Sequence, residues 1–89
     1  ITVKPKSELS YQSHKYRNEH WIVLKGTATI KKNGSSFKTK KNESTYIAKG
    51  DKHKLINNEN SNLEIIEVQT GAKVSEKDII RYEDIYGRK

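Results

Sequence analysis

Short runs of β-branched and aromatic residues, separated by turn residues, make up most of this chain. The run Glu19–Lys25 ends at Gly26, and residues 27–31 begin a second run. Such short runs bounded by glycine predict consecutive strands. Asn33-Gly34 follows, and this dipeptide favours a tight hairpin because both residues tolerate positive φ. Residues 37–41 should therefore return antiparallel to the preceding strand.

The second half of the chain continues the pattern. Residues 44–48, 52–57 and 62–70 read as further strands, with the turn dipeptide Gly50-Asp51 between the first two. About eight short strands with almost no helical periodicity predict an all-β sandwich or small barrel. Ser75-Glu76-Lys77-Asp78 resembles a capping box and predicts one short C-terminal helical turn. A chain of 89 residues leaves room for one domain, 1–89.

Composition narrows the chemistry. Eighteen Lys and Arg against eleven Asp and Glu give a net charge of +7, which suits a nucleic acid, an anionic surface or a phosphorylated substrate. Because there is no cysteine, a disulfide framework, a thiolate nucleophile and a Cys-ligated zinc site are excluded. No apolar run is long enough to span a bilayer, so we expect a cytoplasmic protein with no membrane partner. Ile1 is not an initiator, so we expect a processed chain or a piece of a longer one.

The residues that could bind a metal lie in two places. Gln12 and His14 are two positions apart, so on a strand they face the same way, and Glu19 begins the next strand. His53 stands alone on a later strand. A set of His, Glu and Gln suits zinc, cobalt, manganese or iron with open positions for a substrate. Spacing by itself does not establish that these residues share one ion.

Two motifs bring a family resemblance. Gln12-x-His14-x4-Glu19 followed by Gly26 resembles the first cupin motif, and Gly50-x2-His53-x3-Asn57 resembles the second. More specific matches surround them: residues 9–12, Arg17-Asn18-Glu19-His20-Trp21-Ile22-Val23, Gly26-Thr27-Ala28, residues 42–47, residues 63–71, and Asp78-Ile79-Ile80-Arg81-x-Glu83-Asp84-x-Tyr86-Gly87-Arg88. Over nearly the whole chain the sequence is similar to the C-terminal cupin domain of type II mannose-6-phosphate isomerases, which is usually fused to a mannose-1-phosphate guanylyltransferase.

The resemblance implies a fold, a reaction and a site. It implies an antiparallel jelly-roll barrel that interconverts mannose 6-phosphate and fructose 6-phosphate through an enediol, in GDP-mannose and polysaccharide biosynthesis. One divalent metal is implied, zinc first and then cobalt, manganese or magnesium. The implied residues are Gln12, His14, Glu19 and His53 as ligands, Arg17, Glu83 and Asp84 in catalysis, and Arg17, Arg81 and Arg88 in substrate binding. We also expect a homodimer, since cupins commonly bury a sheet edge by pairing.

Some points stay open at this stage. The catalytic base could be Glu67, Glu83, Asp84, His20 or a hydroxide on the metal. The chain departs from the family where Tyr16 replaces a histidine and Lys6 replaces a glycine. It has no Gly-rich nucleotide-binding loop, so guanylyl transfer is not expected of it.

Two other functions compete with the isomerase. The first is a non-catalytic cupin that binds a sugar phosphate or serves as an oligomerisation domain. The second is a basic barrel that binds single-stranded nucleic acid through Tyr11, Tyr16, Phe37 and Tyr46. The nucleic-acid hypothesis leaves the metal-ligand motifs unexplained, so we expect no nucleic-acid partner.

Overall fold

A computed structural model describes residues 1–75 and 77–82. These residues form ten strands: β1 Thr2–Val3, β2 Ser7–Glu8, β3 Gln12–Ser13, β4 Arg17–Lys25, β5 Thr27–Lys32, β6 Ser35–Lys40, β7 Ser44–Ile47, β8 His53–Asn57, β9 Leu63–Gly71 and β10 Ile80–Arg81. Every pairing is antiparallel. The all-β class expected from the runs of β-branched residues is thereby confirmed.

The strands make two sheets. The first has the order β1-β9-β4-β7, and the second has the order β10-β3-β8-β5-β6 with β2 also paired to β8. Strands that are distant in sequence are neighbours in both sheets, as in a jelly roll. β3 and β8 are paired in the second sheet, which places Gln12 opposite His53, whereas Glu19 lies on β4 of the first sheet.

The Asn33-Gly34 hairpin forms as the sequence predicts. Lys32 pairs with Ser35, so the loop between β5 and β6 has two residues, and both have positive φ (49° and 89°). Lys6 also adopts a positive φ of 55°. This is the position where the resembling family has a glycine, so the lysine occupies a backbone conformation better suited to a residue without Cβ.

The core lies between the two sheets. Alternate residues of each long strand point inward, and the buried apolar set is Val3, Trp21, Val23, Ala28, Ile30, Ile47, Leu55, Leu63 and Ile65. Along β4 the inward series begins with Arg17 and Glu19 before it becomes apolar at Trp21. One end of the interior is therefore polar, and the other end is the hydrophobic core.

The C-terminal part of the described chain makes a turn and no helix. The Asp78 N–H donates to the Ser75 carbonyl at 3.1 Å, and the Lys77 N–H donates to the Ser75 hydroxyl at 3.2 Å. The helical pattern predicted here stops after this one turn because Ile80–Arg81 pairs with β3 as a strand. In the described residues, no helix is long and apolar enough to cross a membrane.

Candidate metal centre

Four predicted ligands converge at the polar end of the interior. His14, Glu19 and His53 are each no more than 3% exposed, and their ligand atoms all lie within 4.8 Å of one another. Gln12 is the strand partner of His53 and lines the same cavity, which measures about 140 Å³. The antiparallel pairing of β3 with β8 thus brings together Gln12 and His53, which are 41 positions apart in sequence.

Backbone carbonyls hold both imidazoles in the tautomer that a metal needs. His14 Nδ1 lies 2.6 Å from the carbonyl oxygen of Asp78, and His53 Nδ1 lies 3.1 Å from that of Asp51. Each Nδ1–H donates to its carbonyl, so Nε2 keeps its lone pair. This arrangement is the usual outer support of a metal-binding histidine.

The surroundings of His53 also favour its neutral form. Burial lowers the pKa of His53, and the nearby His14 lowers it further, although the hydrogen bond to the Asp51 carbonyl acts in the opposite direction. The Trp21 ring stands edge-on to the His53 ring at a centroid distance of 5.3 Å. His53 is therefore held as an uncharged donor in a fixed orientation.

Glu19 connects the ligands to a buried cation. Its Oε2 accepts a hydrogen bond from Arg17 Nε at 2.9 Å and lies 3.3 Å from His14 Nε2, and its Oε1 accepts from Trp21 Nε1 at 2.7 Å. Arg17 is fixed in turn by a 2.6 Å hydrogen bond from Nη1 to the Ser75 carbonyl. The guanidinium is therefore part of the cavity wall and faces away from bulk solvent.

The donor set fits a divalent cation. His14 Nε2 and Glu19 Oε2 lie 3.3 Å apart, and the Arg17 guanidinium contacts both, with Nε 2.9 Å from Oε2 and Nη2 3.4 Å from Nε2. Gln12 Nε2 is used by the Ser10 carbonyl and hydroxyl, so its Oε1 is the amide atom left for a ligand. Two imidazoles, one carboxylate and one amide oxygen suit zinc and other borderline metals.

Glu67 is a further carboxylate in the cavity. It lies on β9 directly opposite Trp21, and the alternation of β9 turns it inward after Leu63 and Ile65. Burial raises the pKa of Glu67, and the nearby Glu19 raises it further. It was one of the base candidates that the sequence left open.

His20 leaves that set of base candidates. It is exposed on the opposite face of β4 from Glu19, and its ring packs edge-on against Tyr46 at a centroid distance of 6.3 Å. The alternation of a strand therefore removes it from the cavity. A base at this position is excluded because the side chain faces the wrong side of the sheet.

The C-terminal residues are only partly described. Arg81 is exposed on β10, where it is the strand partner of Gln12, and it does not line the cavity. Glu83, Asp84 and Arg88 lie outside the described residues. The roles that the resemblance implies for these four residues stay predictions.

Several supports of the site could not have been found from sequence. The carbonyls of Asp51, Ser75 and Asp78 act through backbone atoms that every residue carries, so no residue pattern marks them. Asn57 of the second motif is not a ligand. Its buried amide donates to the carbonyls of Val3, Lys4 and Ser61 and fastens three segments of backbone together.

Comparison with known proteins identifies the family of the chain. A family model described as "Mannose-6-phosphate isomerase C-terminal" matches residues 1–84. The chain is 50% identical to the alginate biosynthesis protein AlgA of Pseudomonas aeruginosa, and 46% identical to a mannose-1-phosphate guanylyltransferase of Klebsiella pneumoniae. Each match covers 99% of this chain, and 18% and 19% of the respective relatives.

A solved structure supports the fold. A Cupin 2 conserved barrel domain protein from Salinispora arenicola superposes with a TM-score of 0.73 at 21% identity, over 80% of this chain and 59% of that one. The chain spans about a fifth of the length of the curated relatives it matches, in the region of their C-terminal domain. It belongs to the family of mannose-6-phosphate isomerase C-terminal domains, and its fold is a cupin barrel.

Proposed function

We propose that this domain is a metal-dependent isomerase that interconverts mannose 6-phosphate and fructose 6-phosphate. The observation that carries the proposal is the convergence of His14, Glu19 and His53 within 4.8 Å, with Gln12 and Arg17 on the same cavity. A site for sugar isomerisation needs an electrophile beside a dry pocket and a cation for the charge that develops on oxygen. This cavity supplies residues for both.

The ligand residues would hold one divalent ion, with zinc as the first choice. Such an ion would act as a Lewis acid on the sugar oxygens. Gln12, His14, Glu19 and His53 would hold it, and the carbonyls behind the two imidazoles would keep their Nε2 atoms directed at it. The apolar part of the cavity wall, formed by Leu9, Trp21 and Leu55, would limit access of water to the reacting carbons.

Arg17 would stabilise negative charge in the reaction. Its side chain is buried, and it is oriented by Glu19 and the Ser75 carbonyl, so its position is set before a substrate arrives. A preorganised guanidinium beside a low-dielectric cavity can stabilise an enediolate oxygen more strongly than one in water. The same fork geometry would also suit a phosphate oxygen.

Turnover of mannose 6-phosphate tests the proposal. The chain is reconstituted with zinc, cobalt, manganese or magnesium and compared with a chelated control. We expect turnover that vanishes with chelator and with His53→Ala but survives His20→Ala, because only the first histidine faces the cavity. Metal binding without turnover of the sugar phosphate at any of the four metals would overturn the isomerase and leave a cupin that binds a ligand.

We also propose that the domain pairs with a second copy through the outer face of the first sheet. On this outer face Ile22 lies directly opposite Ile66, and Tyr46 and Val68 flank them across β4. Ile66, Val68 and Tyr46 are 45–52% exposed, and clustered exposed apolar side chains typify interaction surfaces. Sedimentation tests the pairing: we expect a dimer that Ile66→Lys dissociates, and a wild-type monomer at micromolar concentration would exclude it.

A further inference from the structure

We infer that Glu67 is the catalytic base that carries the proton between carbons 1 and 2 of the sugar phosphate. The inference rests on the proposed isomerase function and assigns the residue that the reaction still lacks. It follows from the placement of the Glu67 carboxylate on the cavity wall, outside the set of metal-binding side chains.

The position of Glu67 is fixed by the register of two strands. β9 runs antiparallel to β4, so Trp21 lies opposite Glu67 and Glu19 lies opposite Gln69. The pair Trp21–Glu67 is thus two register positions from the pair that contains Glu19, and Glu67 lines the same cavity as Glu19. A side chain there reaches the cavity beside the donor set, where the carbons of a bound sugar would lie next to the oxygens held by the ion.

The other ionisable groups on the cavity wall are committed elsewhere. Both oxygens of Glu19 accept hydrogen bonds, from Arg17 and Trp21. Each imidazole of the pair His14 and His53 uses Nδ1–H on a backbone carbonyl, which leaves only the Nε2 lone pair for the ion. Among the described cavity residues, Glu67 is the carboxylate that is outside the donor set.

The electrostatic surroundings of Glu67 suit proton transfer. Burial raises the pKa of Glu67 and the charge of Glu19 raises it further, whereas the Arg17 guanidinium and a hydrogen bond from Gln69 lower it. The net effect is upward, toward the pH at which the domain would work. A base is most effective when its pKa approaches the operating pH.

The proton transfer balances without an added reactant. In the open-chain aldose, the Glu67 carboxylate takes the proton from carbon 2, the electron pair of that C–H bond forms the C1=C2 double bond, and the carbonyl π pair moves onto O1. Arg17 is placed to stabilise the negative charge that develops on O1, and the proton of the O2 hydroxyl then passes to O1. The acid form of Glu67 returns its proton to carbon 1, where the C1=C2 π pair forms the new C–H bond, while an electron pair of O2 forms the C2=O2 bond of the ketone. No atom or electron is gained or lost overall.

The test compares three variants of the metal-loaded chain. Glu67→Gln keeps the shape and removes the base, Glu67→Asp keeps the carboxylate but withdraws it by one methylene, and Glu64→Gln is the matched control. Glu64 lies on the same strand, opposite Thr2, and does not line the cavity. The readouts are kcat for mannose 6-phosphate, metal content, and incorporation of deuterium from heavy water into the sugar at carbons 1 and 2.

We expect Glu67→Gln to lower kcat by about 10²-fold or more and to abolish deuterium incorporation, with metal content unchanged. Glu67→Asp should give an intermediate rate, and Glu64→Gln should behave as wild type. A Glu67→Gln variant with kcat within threefold of wild type, or one that loses its metal, would overturn the assignment of Glu67 alone. A metal-loaded wild type with neither turnover nor exchange would instead overturn the proposed function, and the assignment with it.

Discussion

The imidazole of His14 is held by the backbone of Asp78: Nδ1 lies 2.6 Å from the Asp78 carbonyl oxygen. Asp78 also holds the backbone that follows His14, because its carboxylate accepts hydrogen bonds from the N–H groups of Lys15 and Tyr16 at 2.8 Å each. A residue 64 positions away thus fixes both the ring of His14 and the backbone that follows it. The proposed metal centre would depend on this support.

Loss of the hydrogen bonds to the Asp78 carboxylate should weaken metal binding. In Asp78→Ala the carboxylate no longer holds the turn against Lys15 and Tyr16, so the carbonyl behind His14 is free to move. We expect metal affinity to fall by about 10–100-fold, the usual cost of losing an outer support. Isothermal titration with zinc measures it. Glu43→Ala is the control, since it removes a similar carboxylate cap, on Lys40 N–H, outside the cavity; equal affinity in both variants would contradict the prediction.

Metal should stabilise the fold through the same residues. A ligand present at one hundred times its Kd adds about 2.7 kcal/mol to the free energy of unfolding, which is a rise in Tm of about 10–20 °C for a domain of this size. Thermal melts with zinc and with chelator measure it. We expect the rise to disappear in His53→Ala and to persist in His20→Ala; a rise that survives His53→Ala would place the metal elsewhere.

Replacement of Gly71 by any residue with a Cβ should destabilise the fold, because Gly71 packs against the backbone of Tyr16 and Arg17. Its φ is 143°, and a Cβ there would lie 2.5 Å from the Tyr16 carbonyl oxygen and 3.0 Å from the Arg17 Cα. We expect Gly71→Ala to lower the free energy of unfolding by about 3 kcal/mol. Gly34→Ala is the matched control: its φ is also positive but the site is open, so the cost should be about 1–2 kcal/mol. Urea unfolding of both variants decides it, and equal losses would contradict the steric argument.

The ionised Glu67 carboxylate should lower the free energy of unfolding at neutral pH. Burial, with Glu19 nearby, raises the pKa of Glu67 in the folded chain above the ordinary value of 4.5, which applies to the unfolded chain. Between the unfolded and the folded pKa, the folded chain therefore binds more protons than the unfolded chain. The free energy of unfolding therefore falls as pH rises through that window. We expect metal-free Glu67→Gln to be more stable than wild type at pH 7, with the difference vanishing below about pH 4. Urea unfolding with chelator at both pH values tests this, and a less stable variant at pH 7 would refute it.

The local features of the fold were readable from sequence. The β-branched runs predicted the long strands, and Asn33-Gly34 predicted the two-residue hairpin, because these signals depend on neighbouring residues alone. The capping-box pattern also predicted the turn that begins at Ser75, but it did not predict the strand Ile80–Arg81 that follows. Whether Ile80–Arg81 extends a helix or joins a sheet is decided by β3, which lies far away in sequence.

The site was predictable in its residue types and only partly in its arrangement. Residue type marked Gln12, His14, Glu19 and His53 as possible ligands, and only the family resemblance joined them into one set. The sequence could not separate Glu67 from His20 as base candidates, because both are titratable residues on strands. Strand register separates them, since it turns the first toward the cavity and the second toward the outer face.

The sequence by itself determined the long strands and the Asn33-Gly34 hairpin, the absence of thiol chemistry and the kinds of donor available to a metal. Only the tertiary structure decided which of these side chains meet, that the Arg17 guanidinium lies among them, and which backbone carbonyls hold them in place. The physical reason is the range of the interactions. Propensity and turn geometry act within a few residues, whereas the pairing of β3 with β8 and of β4 with β9 depends on burying a shared core. That pairing places His53 opposite Gln12 and Glu67 opposite Trp21, in the cavity that Glu19 also lines.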